Sequence, residues 1–263
     1  MDASDLEKRL LAAEAVVRDA GRLAADYFAR RTTLPIGRKG KQDVVSEADR
    51  ACEDLIIGAL SKAFPDDGFL GEEGGERNSG ADAVWVIDPI DGTYNFLTGV
   101  PFWCVSLGLV VKGEAVLGAI FHPSADELFS AARGSGAFLN GAPMKVSGAT
   151  DITRARVCLG FSYRCTVEEH VRVVDALLNA GCEYCRIGSG ALGLAYCAAG
   201  RFDGYWERHI SAWDAAAGIV LVREAGGWTN DFLDGDGLRL GNEILAATPA
   251  LAESLKRLTW TSG

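Results

Sequence analysis

The stretch Trp85-Val-Ile-Asp-Pro-Ile-Asp-Gly-Thr-Tyr-Asn-Phe96 changes character halfway along. Val84 to Ile87 reads as a short buried strand that delivers Asp88 to its end. Pro89 fixes the backbone there. Asp91 follows three residues later, in what the pattern reads as a tight turn, where it can converge with Asp88. Gly92 permits close backbone approach to a ligand. Gly92 and Thr93 open a helix whose free N–H groups suit a phosphate. Asp and Gly are also ordinary turn formers, so the stretch gains its meaning from its neighbours.

Those neighbours are acidic too. Phe69-Leu-Gly-Glu-Glu73 places Glu72 and Glu73 directly after another buried strand. Trp213-Asp-Ala-Ala-Ala-Gly218 places Asp214 in the first turn of an apolar helix. An acid there also favours the helix dipole, and the same holds for Asp49 near the start of an earlier helix. If Glu72, Asp88, Asp91 and Asp214 share a pocket, their repulsion is severe unless cations neutralise them. All-oxygen sites suit Mg²⁺ or Mn²⁺, which also coordinate phosphate.

Around this constellation the chain divides near residue 148. The first part, 1–147, reads as α+β. An amphipathic helix runs from Ser4 to about Arg30, with Ser4 and Glu7 spaced as a capping box and Leu6, Leu10, Val17, Ala24 and Phe28 inward. A basic, Gly-containing loop covers 32–42. A second helix, from Ser46 to about Phe64 with Ser46 and Asp49 as a capping signal, turns Cys52, Leu55, Ile56, Ala59 and Leu60 inward. Strands follow over Val105 to Val111, Ala115 to Phe121 and Glu127 to Ala132. Tyr94, Phe96, Phe102 and Trp103 read as core aromatics. The second part, 148–263, alternates strand and helix: Arg156 to Gly160, Val167 to Ala180 capped by Thr166 with Glu169, Glu183 to Ile187, a helix after Gly188-Ser189-Gly190, Asp203 to Glu207, and Ala212 to Ala225. Each part is a sheet covered by helices.

Composition sets limits. The 263 residues are 48% hydrophobic and 24% charged, as in a globular protein with a full core. A net charge of -10 disfavours nucleic acid and anionic membranes, which need basic patches. The N-terminal MDASDLEKRLLAAE lacks a basic-then-apolar pattern, and no apolar run is long enough to span a bilayer, so a cytoplasmic protein is expected. The seven cysteines, an odd number, read as reduced thiols. Cys182 and Cys185 form a lone CxxC, but in an extended segment such positions face opposite sides. His122, His170 and His209 do not cluster.

At this point the sequence resembles the inositol monophosphatase family. WVIDPIDGTYNF at 85–96 looks like its first signature and WDAAAGIVLVREAGG at 213–227 like its second; DVVSEAD at 43–49 and GEE at 71–73 also fit. The resemblance spans essentially the whole chain. It implies the layered αβαβα sandwich shared with fructose-1,6-bisphosphatase, a homodimer, two or three Mg²⁺ ions (Mn²⁺ substituting), and inhibition by lithium. It makes Glu72, Asp88 and the Ile90 carbonyl ligands of the first metal, and Asp88, Asp91 and Asp214 holders of the second. Glu72 helps to hold a third, with Glu73 behind it. Thr93, hydrogen-bonded to Asp49, orients and deprotonates the attacking water, and the Gly92 and Thr93 N–H groups bind phosphate. Gly188, Ser189, Gly190 and Glu207 match positions that touch the alcohol, and Ser162 lies nearby.

The implied reaction is hydrolysis of a small phosphate monoester, inositol 1-phosphate first and histidinol phosphate second. A 3′-phosphonucleotide or fructose bisphosphate ranks lower. A regulatory binding role through RNA polymerase or ribosome assembly, as in a bacterial relative, would be additional. Arg208-His209-Ile210-Ser211 departs from many members beside the alcohol site and leaves the substrate open.

Overall fold

Asp2, not Ser4, caps the first helix, α1 (Ala3–Ala29): its carboxylate accepts the Asp5 N–H at 2.8 Å. Asp2 has the extended backbone of a capping residue, whereas Ser4 is already inside the helix, so the helix begins before the spacing of Ser4 and Glu7 implies. The computed structural model of the chain describes residues 1–31, 36–38, 44–78 and 80–260. The loop reading over 32–42 lies largely outside these residues, except that Ile36–Arg38 is a strand.

After α1 come β1 (Ile36–Arg38), β2 (Val44–Ser46), α2 (Glu47–Ala63), β3 (Gly68–Gly71), β4 (Gly75–Arg77), β5 (Ala83–Asp91) and α3 (Thr93–Thr98). The chain continues through β6 (Cys104–Val111), β7 (Glu114–His122), β8 (Glu127–Ala132), β9 (Gly136–Leu139) and β10 (Ala142–Met144). Then follow β11 (Arg156–Leu159), α4 (Val167–Asn179), β12 (Glu183–Cys185), α5 (Gly190–Ala198), β13 (Gly204–Ile210), α6 (Ala212–Glu224), β14 (Trp228–Thr229), α7 (Gly237–Leu240), β15 (Asn242–Ala247) and α8 (Ala252–Thr259). β1 and β2 pair with each other. An eight-stranded sheet runs β10-β9-β8-β7-β6-β5-β3-β4, and a five-stranded sheet runs β12-β11-β13-β15-β14.

Three apolar clusters among the described residues glue five layers together. One packs α1 and α2, through Val17, Ala24, Ile56 and Leu60, onto Trp85, Leu107 and Phe121 of the large sheet. A second fills the space between the sheets with α5 and α6, joining Val86, Ile120 and Phe129 to Tyr205 and Ile244. The third packs Val173 and Leu177 of α4 and Leu255 of α8 onto Val157, Trp206 and Leu245. The order is therefore α, β, α, β, α. Cys182 and Cys185 face different clusters, as alternation along a strand requires.

Two local readings change. Ala59 is exposed and Ile57 is buried in its place, because the inward stripe of α2 follows the 3.6-residue period from Cys52 through Ile56 to Leu60. Phe96 and Trp103 are core residues packed edge to face, but Tyr94 and Phe102 are 66% and 39% exposed. In the short helix α3, Tyr94 and Phe96 are two residues apart and point to different sides. The acidic run after β3 lies in a hairpin, with β4 paired back on β3.

The middle layer is tight where α6 crosses the large sheet. A Cβ on Gly118 would collide with the Ala217 backbone, and one on Gly108 would lie 2.9 Å from the Ala216 Cβ. Ala216 and Ala217 thus seat α6 against two strand glycines, Gly218 gives room to Leu194 of α5, and Asp214 is brought down onto the end of β5. Gly118→Ala should lift this helix and destabilise the fold by about 1–3 kcal/mol through overpacking. Denaturant unfolding measures this, and an unchanged midpoint would show that the contact is slack.

Candidate active site

β5 does not stop at Asp88. It runs on through Pro89 and Ile90 to Asp91, so the predicted tight turn is a strand with a bulge. Asp88 lies opposite Ser106 and Asp91 opposite Cys104, which sets one extra residue of β5 against β6. In a regular strand, residues three apart face opposite sides. The bulge cancels that half-turn. Carboxylate oxygens of Asp88, Asp91 and Asp214 accordingly lie within 4.8 Å of one another.

Each neighbour arrives by a separate rule of geometry. β3 runs parallel to β5 with Gly71 beside Ile87, so Glu72 emerges beside Asp88; its N–H donates to the Ile87 carbonyl at 3.2 Å. α6 presents Asp214 from its first turn. Asp49, 1% exposed on α2, lies 3.5 Å from the Thr93 hydroxyl, which also reaches the Ile90 carbonyl at 3.0 Å. Gly92, at φ 91, precedes Thr93 in a left-handed conformation, and the Phe102 carbonyl lies where a Cβ would sit.

Asp91 gathers four donors. It accepts the Ser189 hydroxyl at 2.5 Å, the Ala191 N–H at 2.7 Å and the Gly190 N–H at 3.3 Å, with the Cys104 thiol at 3.8 Å. Ser189, read from the sequence as an alcohol contact, therefore directs its hydroxyl to Asp91, and the start of α5 is fastened to the end of β5. Asn95 adds a second fastening, donating to the carbonyls of Phe102 and Ile187 at 2.7 and 2.8 Å.

Glu207 stands across the cleft, 7% exposed, accepting the Tyr205 hydroxyl at 2.7 Å. Gly160 makes room for it: a Cβ there would strike the Glu207 carboxylate. Ser162 lies just beyond, its hydroxyl accepting the Arg164 N–H at 3.2 Å. The sequence reading did not single out Tyr205, Asn95, Cys104 or Glu53. Tyr205 carried a signal, since it precedes Glu207 by two and shares its face of β13. Glu53 carried another, as an acid among the inward positions of α2.

The electrostatics match the crowding. Burial, with the Glu72, Asp91 and Asp214 charges added, pushes the Asp88 carboxyl well up. Asp214, partly open to the cleft, is raised by burial and by Asp91, Glu72 and Glu207. Burial raises Asp91 as well, against the opposing pull of its Ser189, Ala191 and Gly190 donors. Glu207 is pushed up to about 7 by burial, opposed by the Tyr205 hydrogen bond and reinforced by Asp91. A site of this kind attracts hard cations, and its oxygen-only donors fit Mg²⁺ or Mn²⁺.

The chain is similar along most of its length to known proteins. The profile of the inositol monophosphatase family matches residues 5–263. The chain is 41% identical over 248 residues to an inositol-1-monophosphatase of Rhizobium meliloti, covering 90% of this chain and 92% of that protein. It is 40% identical over 254 residues to the Nus factor SuhB of Xylella fastidiosa, covering 94% and 92%. The crystal structure of the extragenic suppressor protein suhB from Bartonella henselae superposes with a TM-score of 0.91 at 36% identity, over 97% of this chain and 100% of that one.

The raised Glu207 carboxyl has a thermodynamic consequence. The folded chain holds its proton up to about pH 7, whereas an unfolded glutamate releases it near pH 4.3. Between those values the native state binds more protons, so stability falls as pH rises. Thermal and denaturant unfolding in chelator should show Glu207→Gln gaining on the order of 3 kcal/mol over the parent between pH 4.5 and 7.5. A difference that does not change with pH would remove the buried, proton-holding carboxyl.

Proposed function

This chain belongs to the inositol monophosphatase family, whose members hydrolyse phosphoric monoesters, and we propose that it cleaves inositol 1-phosphate with Mg²⁺ held by its clustered carboxylates. The observation that carries the reading is the convergence of Asp88, Asp91 and Asp214 within 4.8 Å, with Glu72 beside them. Glu72, Asp88 and the Ile90 carbonyl would hold one ion and Asp88, Asp91 and Asp214 a second; Glu72 would help to hold a third. Bound there, the ions supply the positive charge that offsets the phosphate and the leaving oxygen.

The chain's own residues do the rest. Thr93 orients a water for in-line attack on phosphorus and relays its proton toward Asp49. The N–H groups of Gly92 and Thr93 hold the phosphoryl oxygens. Gly188, Ser189 and Gly190 border the alcohol, and Glu207 reads its donors, because a carboxylate only accepts. Direct displacement by water needs no covalent phosphoenzyme. The same reading carries lithium sensitivity and a cytoplasmic homodimer. A relative named Nus factor favours a second, additional role in transcription complexes. Capture of RNA polymerase by the parent and by Asp88→Asn alike would support it, and no capture by either would end it.

Phosphate release from inositol 1-phosphate with Mg²⁺ tests the main reading. Chelator should abolish it, Li⁺ should inhibit it, and Asp88→Asn should lower turnover by orders of magnitude without unfolding the protein. Full activity in chelator or in that variant would overturn the metal reading.

The alcohol is tested at Glu207. A neutral amide oxygen still accepts from hydroxyls, so Glu207→Gln should alter kcat/KM for inositol 1-phosphate only mildly. For histidinol phosphate it should lose a charged contact of about 1.5–3 kcal/mol, or roughly 10- to 150-fold. A high parent rate on histidinol phosphate with that loss would replace inositol as the substrate. Negligible change for both would place Glu207 outside the alcohol site.

A further inference from the structure

Glu53 follows Asp49 by four residues on α2, so both carboxylates leave one face of a single helix. The rest of that face is apolar, with Cys52, Ile56 and Leu60 buried alongside, and Glu53 itself is only 3% exposed. Asp49 reaches toward Thr93. Glu53 reaches instead to the bend between β3 and β4. Its two oxygens accept the Glu73 N–H at 3.0 Å and the Gly74 N–H at 2.6 Å. The bend is shaped around this carboxylate: a Cβ on either Gly71 or Gly74 would collide with it.

Glu72 sits inside that clamp. Before it, Gly71 is paired to β5 beside Ile87; after it come the two N–H groups held by Glu53. Beyond, Gly74, Gly75, Glu76 and Arg77 are exposed, with Glu76 paired to Arg239 at 2.8 Å, while the backbone N–H groups that directly follow Glu72 are held by α2. Hydrogen bonds to a charged acceptor are short and strong, and this acceptor is buried.

We propose that Glu53 is a positioning residue that aims Glu72 at the metal site, by clamping the backbone that follows it. One rigid helix then sets both the Thr93 partner, Asp49, and the orientation of a metal ligand. The inference rests on the metal reading given under the proposed function. Residues that hold a ligand in place typically alter metal affinity by 10- to 100-fold when they are changed.

The test compares Mn²⁺ binding, followed by the paramagnetic resonance of the free ion, in the parent, Glu53→Gln and Gly74→Ala. Glu53→Gln keeps the volume but turns an amide NH₂ toward one of the two N–H donors. Gly74→Ala keeps the carboxylate and displaces it, and carries the test if Glu53→Gln does not fold. Both variants should bind Mn²⁺ about 10- to 100-fold more weakly, and kcat should recover at high Mg²⁺. Mn²⁺ isotherms within twofold of the parent, in variants that merely melt earlier, would reduce Glu53 to a structural role and overturn the proposal. A parent that binds no Mn²⁺ would overturn the metal reading itself, which is a separate result.

Discussion

Buried carboxylates repel one another, and the rest of this structure is arranged around that repulsion. Asp88, Asp91 and Asp214 bring oxygens within 4.8 Å of one another, the first two buried and the third half-buried. Without cations, such a group reduces its charge by holding protons: burial pushes all three that way, and the neighbouring acids add to it at Asp88 and Asp214. With cations, the same crowding becomes affinity. The fold must therefore hold the acids together in a geometry they would not choose, and do so with groups that add little charge.

It does this by backbone. The bulge in β5 turns Asp88 and Asp91 to one side, and the Ile90 N–H donates to Asp88 at 3.0 Å. The first N–H groups of α5, together with the Ser189 hydroxyl, hold Asp91. Ala216 and Ala217 of α6 let Asp214 approach over two strand glycines. None of these partners is a full positive charge, so none competes with a metal ion for the carboxylates. The bonds to Asp91 also join the large sheet to the helices lying between the sheets, so the site and the middle core support each other.

Across the cleft, Glu207 shows the same economy of charge. Its nearest hydrogen-bond donor is a neutral phenol, Tyr205, and the glycine at 160 leaves it space. Arg164 and Arg186 act on it only as more distant charges, weaker than the burial that raises it. A carboxylate held this way remains available to a substrate donor.

The sequence by itself determined the types of element, the alternation in the second half, and three acids that the fold brings together, Asp88, Asp91 and Asp214. Those properties are local: an apolar run ending in Asp, an acid in the first turn of an apolar helix, and two signature stretches that resemble one family. It also placed Val17, Ala24, Ile56 and Leu60 inward, because helical periodicity reports burial directly. Only the tertiary structure decided how those acids meet. Whether Asp91 sits in a turn or on a bulged strand depends on its pairing with β6, and the single extra residue that reverses its direction leaves no trace in composition. The bonds from Ser189 to Asp91 and from Asn95 to Ile187 join positions 98 and 92 residues apart. The placement of Glu53 against Gly71 and Gly74 is likewise settled by packing between α2 and the sheet. Periodicity fixes which way a side chain points from its own element; what it meets there is set by chain crossings between distant segments.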